Sequence, residues 1–364
     1  MPTHRITVPL GAAAYDILIG ADTFAALPEI VERTCPAHRY AVIADSTVAR
    51  LYGERVTGLL AGRSRADLIA FPAGEWNKTR EQWHLVSDAM LAAGFGRDTA
   101  VVALGGGVTG DLAGFVAATF LRGVPYVQLP TTLLAMIDSS IGGKTGVDTT
   151  FGKNLIGAFH QPRAVIADVT TLASLPAPHV AAGIAEALKH GAIMDAGYFA
   201  RLTTLRGAVQ AGDRDAFIET VVGSVAIKAR VVADDERESG RRAILNFGHT
   251  VGHAIEAVTG FALLHGEAVA IGLAIEADLG ARLGITRPGV TETVRDALAS
   301  WGLPTRLPDV AADDVLEAMQ VDKKARAGSV KFAFLLSVGA AARGPAGEWT
   351  FAAPREAIKA ALFS

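Results

Sequence analysis

His249, His253 and Glu256 follow one another at helical spacings in Asn246-Phe-Gly-His-Thr-Val-Gly-His-Ala-Ile-Glu256. Imidazoles four residues apart share one face of a helix, and a carboxylate three residues further on lies near that face. His265 follows in Leu264-His-Gly-Glu267, ahead of another apolar helix. Upstream, Ala185-Glu-Ala-Leu-Lys-His190 places the Glu186 carboxylate and the Lys189 ammonium one turn apart. Two or three histidines with one glutamate, and no cysteine among them, form a ligand set for a catalytic Zn2+-type ion with an open position. Spacing alone leaves open which of His249, His253, His265, Glu186 and Glu256 would ligate. Taken singly, the His249/His253 pair reads equally well as surface or helix-capping side chains. No glutamate follows His249 directly, so this is not the His-Glu-x-x-His pattern.

A second group of residues suits an anionic nucleotide. Gly105-Gly-Gly-Val-Thr-Gly-Asp111 follows an apolar strand and opens a helix, matching Gly-x-Gly-x-x-Gly at Gly105, Gly107 and Gly110. Such glycines let backbone N–H groups approach a pyrophosphate at a helix N-terminus. An acidic residue about 20 positions later normally holds the ribose, and none stands clearly there. Asp45, ending an earlier strand, and Glu75 with Lys78 are the alternatives. Thr131 and Thr132 end another strand. The polar stretch from Asp138 through Lys144, with Lys153 and Asn154 close behind, reads as a mobile loop that offers cations and an amide to a small anion. Arg122, Lys189, Lys228, Arg242, Lys323 and Lys324 are further basic candidates, although each alone reads as a solvated side chain. Trp76, Trp83 and Trp301 read as packing residues.

These residues need a scaffold. A chain of 364 residues, half of them apolar and a fifth charged, has room for two domains and a large core. A net charge of −3 and the lack of any lysine/arginine run argue against a nucleic-acid partner. The single cysteine, Cys35, excludes an internal disulfide and a thiolate metal cage, and fits a cytoplasmic location. No signal-peptide pattern opens the chain. The most apolar stretch, Thr99 to Leu121, is broken by Asp111 and a run of glycines, so it reads as strand, turn and helix rather than a membrane span. Residues 5–8 and 15–19 predict a short hairpin. Continuous apolar runs at 40–45, 67–71, 100–104, 126–129 and 164–167 predict buried parallel strands, with helices to about Leu60, over 79–93 and to about Phe120. From 178 to about 301 the periodicity is helical. A late hairpin is expected from 331–336 and 348–351, with a terminal helix from Pro354. The domain boundary is expected near 172, giving an α/β domain over 1–172 and a mainly α-helical domain over 173–364.

Six stretches in order resemble the 3-dehydroquinate synthases, which are sugar phosphate cyclases. They are Gly-Gly-Gly-Val-Thr-Gly-Asp-Leu-Ala-Gly-Phe at 105–115, Asp-Ser-Ser-Ile-Gly-Gly-Lys-Thr-Gly at 138–146, Gly-Lys-Asn-Leu-Ile-Gly-Ala-Phe at 152–159, Gly-Ile-Ala-Glu-Ala-Leu-Lys at 183–189, Leu-Asn-Phe-Gly-His-Thr-Val-Gly-His-Ala-Ile-Glu at 245–256 and His-Gly-Glu-Ala-Val-Ala-Ile-Gly at 265–272. The resemblance implies a Rossmann-like, parallel-sheet NAD-binding domain, a helical metal- and substrate-binding domain, and an active site in the cleft between them. It implies a divalent ion, Zn2+ or Co2+, on Glu186, His249 and His265, with His253 facing substrate instead. NAD would meet Asp45, Glu75, Lys78, Gly106, Gly107, Val108, Asp111, Thr131, Thr132, Asp138, Lys144, Lys153, Thr171, Ser174 and Leu175. Substrate would meet Arg122, Lys144, Asn154, Lys189, Lys228, Arg242, Asn246, His253 and a late lysine, Lys324 rather than Lys331. The implied reaction converts 3-deoxy-D-arabino-heptulosonate 7-phosphate to 3-dehydroquinate and phosphate in a homodimer. The alternatives are another sugar phosphate cyclase, an NAD- and metal-dependent polyol dehydrogenase, or an inactive homologue serving as a binding subunit.

Overall fold

The computed structural model describes residues 3–62, 64–321 and 330–363. The chain divides into two compact units, Met1–Leu175 with Phe217–Ala233, and Pro176–Ala216 with Asp234–Ser364.

The first unit is built on one seven-stranded sheet, its strands in the spatial order His4–Val8, Tyr15–Gly20, Ala164–Asp168, Tyr126–Pro130, Thr99–Gly105, Arg39–Asp45 and Arg65–Phe71. β1 (His4–Val8) pairs antiparallel with β2 (Tyr15–Gly20), the expected hairpin. The other pairings, among β2, β9 (Ala164–Asp168), β6 (Tyr126–Pro130), β5 (Thr99–Gly105), β3 (Arg39–Asp45) and β4 (Arg65–Phe71), are all parallel. The apolar runs are continuous because alternate residues feed two different cores. Val42, Ala44, Val102 and Leu104 pack on one face with Phe24, Leu27 and Leu60. Ala41, Ile43, Val101 and Ala103 pack on the other with Met90, Leu112 and Val116. The strands thus read as a parallel Rossmann-like sheet with cover on both faces.

Trp76, read as a packing residue, is 80% exposed, and of β4, read as a buried strand, only Phe71 is buried. Two further features of this unit depart from the sequence expectation. Residues 144–159, which begin at the end of the expected polar loop and for which no strand was expected, form an antiparallel hairpin of β7 (Lys144–Thr149) and β8 (Gly152–Phe159). Its strands face each other through Gly146 and Gly157. A Cβ on Gly157 would stand 2.1 Å from the Thr145 carbonyl oxygen, so close backbone approach, not apolar alternation, defines the pairing. The second feature is the segment Phe217–Ala233, in the helix Arg214–Asp234, which belongs to the first unit although it follows residue 172.

In the second unit the helices Ala177–Met194, His249–Val258 and His265–Arg282 carry the candidate ligands. The apolar faces of the latter two, with Val251, Ile255, Ile271 and Ile275, meet Val315, Phe332, Phe334 and Ile358. The expected late pairing is present as Lys331–Phe332 against Phe351–Ala352, and a second small pair joins Leu335–Ser337 to Ala340–Ala341. The terminal helix spans Arg355–Leu362. Among the described residues no helix is long and apolar enough to cross a membrane.

Glycines set how closely these helices pass. A Cβ on Gly272 would stand 1.9 Å from the Gly248 carbonyl oxygen, and one on Gly266 would stand 2.1 Å from that of Ala182. The helix His265–Arg282 therefore touches the start of the histidine helix and the glutamate helix backbone to backbone. Gly207, in the helix Ala196–Gln210, is the contrast, since a Cβ there meets nothing within 4 Å. Gly272→Ala should cost about 3 kcal/mol or more through overpacking, and Gly207→Ala should gain about 1 kcal/mol from helix propensity. Urea unfolding of the two variants checks the pair; equal effects would remove the close-contact argument.

Candidate metal centre and glycine-turn cluster

Within the second unit, Glu186, His249 and His265 each present one ligand atom, all within 4.8 Å of one another. Glu186 is fully buried on its helix. His249 Nε2 lies 3.3 Å from Glu186 Oε1, and His265 Nε2 lies 3.4 Å from the same oxygen. Each ring is held from behind. His249 Nδ1 is 3.3 Å from the Phe247 carbonyl oxygen, and His265 Nδ1 is 3.3 Å from Glu256 Oε1. A proton on Nδ1 satisfies these acceptors and leaves each Nε2 lone pair aimed inward, the arrangement by which metal-binding histidines are oriented. Two nitrogens and a carboxylate oxygen converging on one buried point fit a divalent ion of the Zn2+ class.

The electrostatics agree with that fit. Burial would raise the Glu186 carboxyl, but Lys189 and His249 outweigh it and hold it well below its usual range. Burial, reinforced by Lys189, pushes His249 down to about 4. Burial also opposes charge on His265, yet hydrogen bonds to Glu186 and Glu256 raise it to about 10. The positive charge that these carboxylates draw onto His265 is one that a divalent ion supplies. His253 stands beside the set, its ring centroid 5.2 Å from that of His249 and 6.0 Å from that of His265. With Glu256 and His265 it forms a second possible grouping.

Other candidate residues belong to the same unit. Lys189 is buried and its ammonium contacts Glu186 Oε2. Arg242 is buried, its backbone N–H donating to Asp235 Oδ2 at 3.0 Å and its guanidinium to the Glu236 carbonyl. Asn246 Nδ2 donates to Glu238 Oε1 at 2.6 Å. Lys331 is exposed, and Lys323 and Lys324 lie outside the described residues. Sequence reasoning missed Glu276. Its carboxylate accepts from the backbone N–H of Gly248 at 2.7 Å and of Val251 at 3.0 Å. Nothing in the local sequence marks a glutamate that bonds distant amides.

In the first unit the glycine turn sits where the pattern placed it. Gly106 is the N-cap of the helix Gly107–Thr119. Thr131 donates its backbone N–H to the Gly105 carbonyl at 2.9 Å, and the Thr132 methyl fills the space beside Gly106, where a Cβ would lie 3.0 Å from it. Asp45 accepts from the backbone N–H groups of Thr47 and Val48 and from Thr109 Oγ1 at 3.3 Å. Val108 packs on the second core face. Thr171 Oγ1 donates to the Asp168 carbonyl oxygen at 2.8 Å, Ser174 Oγ donates to the Thr171 carbonyl at 2.9 Å, and Leu175 closes the same turn. Lys228 Nζ is 2.6 Å from Asp138 Oδ1, which ties the segment Phe217–Ala233 into this unit. Lys144 and Asn154 are exposed on the hairpin, Asn154 with a φ of 54° and its backbone N–H donating to Asp148 Oδ1 at 2.8 Å. Arg122 is exposed at a left-handed turn with a φ of 74°.

Lys78 is the hub of this cluster. Only 4% exposed, it lies 3.2 Å from Asp111, 3.4 Å from Glu75 and 3.7 Å from Asp148, while Lys153 reaches Glu75 at 3.4 Å. Burial opposes charge on Lys78, but Asp111, Glu75 and Asp148 outweigh it and raise its pKa. Burial pushes Asp111 up to about 6 against the pull of Lys78. Lys78→Met strips three carboxylates of their shared cation and should cost about 3–5 kcal/mol. Without Lys78 the folded Asp111 titrates still higher above its unfolded value, so folding favours its protonated form and stability falls as pH rises. The deficit should therefore be larger above pH about 6 than below it. Denaturant unfolding on both sides of that pH checks this, and a loss below about 1 kcal/mol would dismiss Lys78 as a structural hub.

The comparisons agree along the whole chain. The 3-dehydroquinate synthase N-terminal family profile matches residues 68–182, and the C-terminal profile matches residues 183–325. The chain is 47% identical over 343 residues to the 3-dehydroquinate synthase of Rhodospirillum rubrum, covering 92% of this chain and 89% of that protein. A 2-deoxy-scyllo-inosose synthase crystallised with carbaglucose-6-phosphate, NAD+ and Co2+ superposes with a TM-score of 0.88 at 25% identity over 99% of both chains. ValA, the 2-epi-5-epi-valiolone synthase of Streptomyces hygroscopicus with NAD+ and Zn2+ bound, superposes with a TM-score of 0.83 at 30% identity, covering 96% of this chain and 95% of its own. Two matched profiles and a relative of that identity across nearly the full length place the chain in the 3-dehydroquinate synthase family.

Proposed function

We propose that the chain is a 3-dehydroquinate synthase that converts 3-deoxy-D-arabino-heptulosonate 7-phosphate to 3-dehydroquinate and phosphate. The observation that carries the reading is the convergence of His249 Nε2 and His265 Nε2 on Glu186 Oε1, with each ring held through Nδ1. This donor set suits Zn2+, with Co2+ as a substitute. When bound, NAD accepts and later returns a hydride while the divalent ion polarises the reacting hydroxyl.

The chain's own residues supply binding and charge. The Gly105–Gly107 turn and the helix it opens offer backbone N–H groups to a pyrophosphate, with Asp45, Lys78, Thr131 and Thr132 around that turn. Val108, Asp111, Asp138, Thr171, Ser174 and Leu175 complete the nucleotide-facing set in this reading. Lys144, Lys153, Asn154, Lys228, Arg122, Arg242 and Asn246 are assigned to the sugar phosphate. The lysines and arginines among them stabilise phosphate by their positive charge as it departs, and the two asparagines offer neutral amide donors. Lys189, held against Glu186, and His253, beside the metal ligands, face the substrate hydroxyls. NAD ends the cycle in the form in which it began, which separates this reading from a dehydrogenase. The cytoplasm and a homodimeric assembly belong to the same reading and are carried by the resemblance.

The test is phosphate release from 3-deoxy-D-arabino-heptulosonate 7-phosphate with NAD+ and Zn2+ or Co2+, followed together with NADH absorbance. Phosphate release without net NADH, abolished by a chelator, is the expected result. Accumulating NADH would make the chain a dehydrogenase, and phosphate release only from another sugar phosphate would make it a different cyclase. His265→Ala should lose bound metal together with turnover; full metal content would remove it from the ligand set. Lys144→Ala should keep metal and NAD but release phosphate about 100-fold more slowly, and native turnover would take Lys144 out of the site.

A further inference from the structure

Glu276 is fully buried in the middle of the helix His265–Arg282, the same helix whose first residue is the candidate ligand His265. Its carboxylate does not face its own helix. It spans the opening turn of the preceding helix, His249–Val258, with Oε2 on the Gly248 N–H and Oε1 on the Val251 N–H. Those two amides bracket His249. Gly248 is the N-cap of the histidine helix, has a φ of 83° and brings no side chain to cap it. A helix that begins this way leaves N–H groups without intrahelical partners and a partial positive charge at its end. Glu276 supplies both missing elements, an acceptor pair and a negative charge, from outside the helix.

We infer that Glu276 is a positioning residue for the metal centre, setting His249 on the ion by clamping the two backbone amides on either side of it. The inference rests on the metal reading above and assigns a role beyond the three ligands. One rigid helix then carries a ligand at its head and, further along, the clamp on a second ligand. The separation of His249 from His265 is thereby fixed through covalent structure and two short hydrogen bonds. Gly272, pressed against the Gly248 carbonyl, removes the space in which the clamped turn could shift.

The test uses the full-length protein and Co2+ alone as the probe, reading both the dissociation constant and the visible d–d spectrum. Glu276→Gln keeps the size of the side chain but leaves only one acceptor oxygen for two amides. The expected result is Co2+ binding weaker by about 10- to 100-fold, as for other residues that orient metal ligands, with a changed d–d spectrum in protein shown to be folded by circular dichroism. A cap that serves only the fold would lower the melting temperature while leaving the constant and the spectrum of the folded protein as in the parent, and that outcome overturns the inference. If Glu276→Gln does not fold, Glu276→Asp answers the same question. It keeps two oxygens on a shorter arm, so weakened binding with a changed spectrum supports the clamp and parent-like binding overturns it. Failure of the unaltered protein to bind Co2+ removes the metal reading and this inference with it. Parent-like Co2+ binding by a folded Glu276 variant removes this inference alone.

Discussion

The second unit depends on three helices meeting without side chains between their backbones. Gly266 against Ala182 and Gly272 against Gly248 bring the helices together at distances that no Cβ tolerates. That approach places a carboxylate from one helix among imidazoles from two others. The buried Glu186 is then tolerable because cationic and hydrogen-bonding partners surround it, and an isolated charge in such a place would simply take up a proton. Packing and electrostatics are therefore one constraint: loosening the helices leaves a buried carboxylate whose partners have moved away.

The first unit solves a related problem differently. The central strands of its sheet are mostly apolar, and many of its polar residues gather where strands end and helices begin, as parallel sheets of this kind arrange them. Lys78 joins the turn Glu75–Asn77, the helix bearing Asp111 and the hairpin bearing Asp148. One buried ammonium thereby adds a polar tie among three chain segments, two of which, the helix and the hairpin, also share an apolar core through Leu112, Val116 and Val147.

Much of this was legible in the residues, and the rest was hidden for physical reasons. The strands at 40–45, 100–104 and 126–129 announce themselves because both faces are buried, so every position but Asp45 and Gln128 is apolar. The hairpin 144–159 does not, because its pairing rests on Gly146 against Gly157 and on polar alternation that resembles a loop. His249 and His253 are visible from spacing, but spacing cannot reveal that the carboxylate converging on His249 and His265 is Glu186, some sixty residues upstream; the family resemblance supplied that. Glu256 was visible as a neighbour of the histidines, and its contact with the back of His265 appears only in three dimensions. Glu276 was not visible at all, since its partners are backbone amides that every residue possesses. The place of Phe217–Ala233 in the first unit was equally silent, because its helical pattern matches that of the segments on either side.

That last arrangement bears on how the chain is made. The first unit is not a contiguous stretch: residues 217–233 complete it, and Lys228 on that segment holds the Asp138 carboxylate. During synthesis the sheet strands emerge in full by Asp168, yet their unit waits for a segment delivered only after residues 176–216 of the other unit have left the ribosome. Domains ordinarily fold as units in the order of their synthesis. Here the polypeptide is interlaced, so a nascent chain stopped near residue 175 holds an Asp138 side chain whose basic partner has yet to be translated.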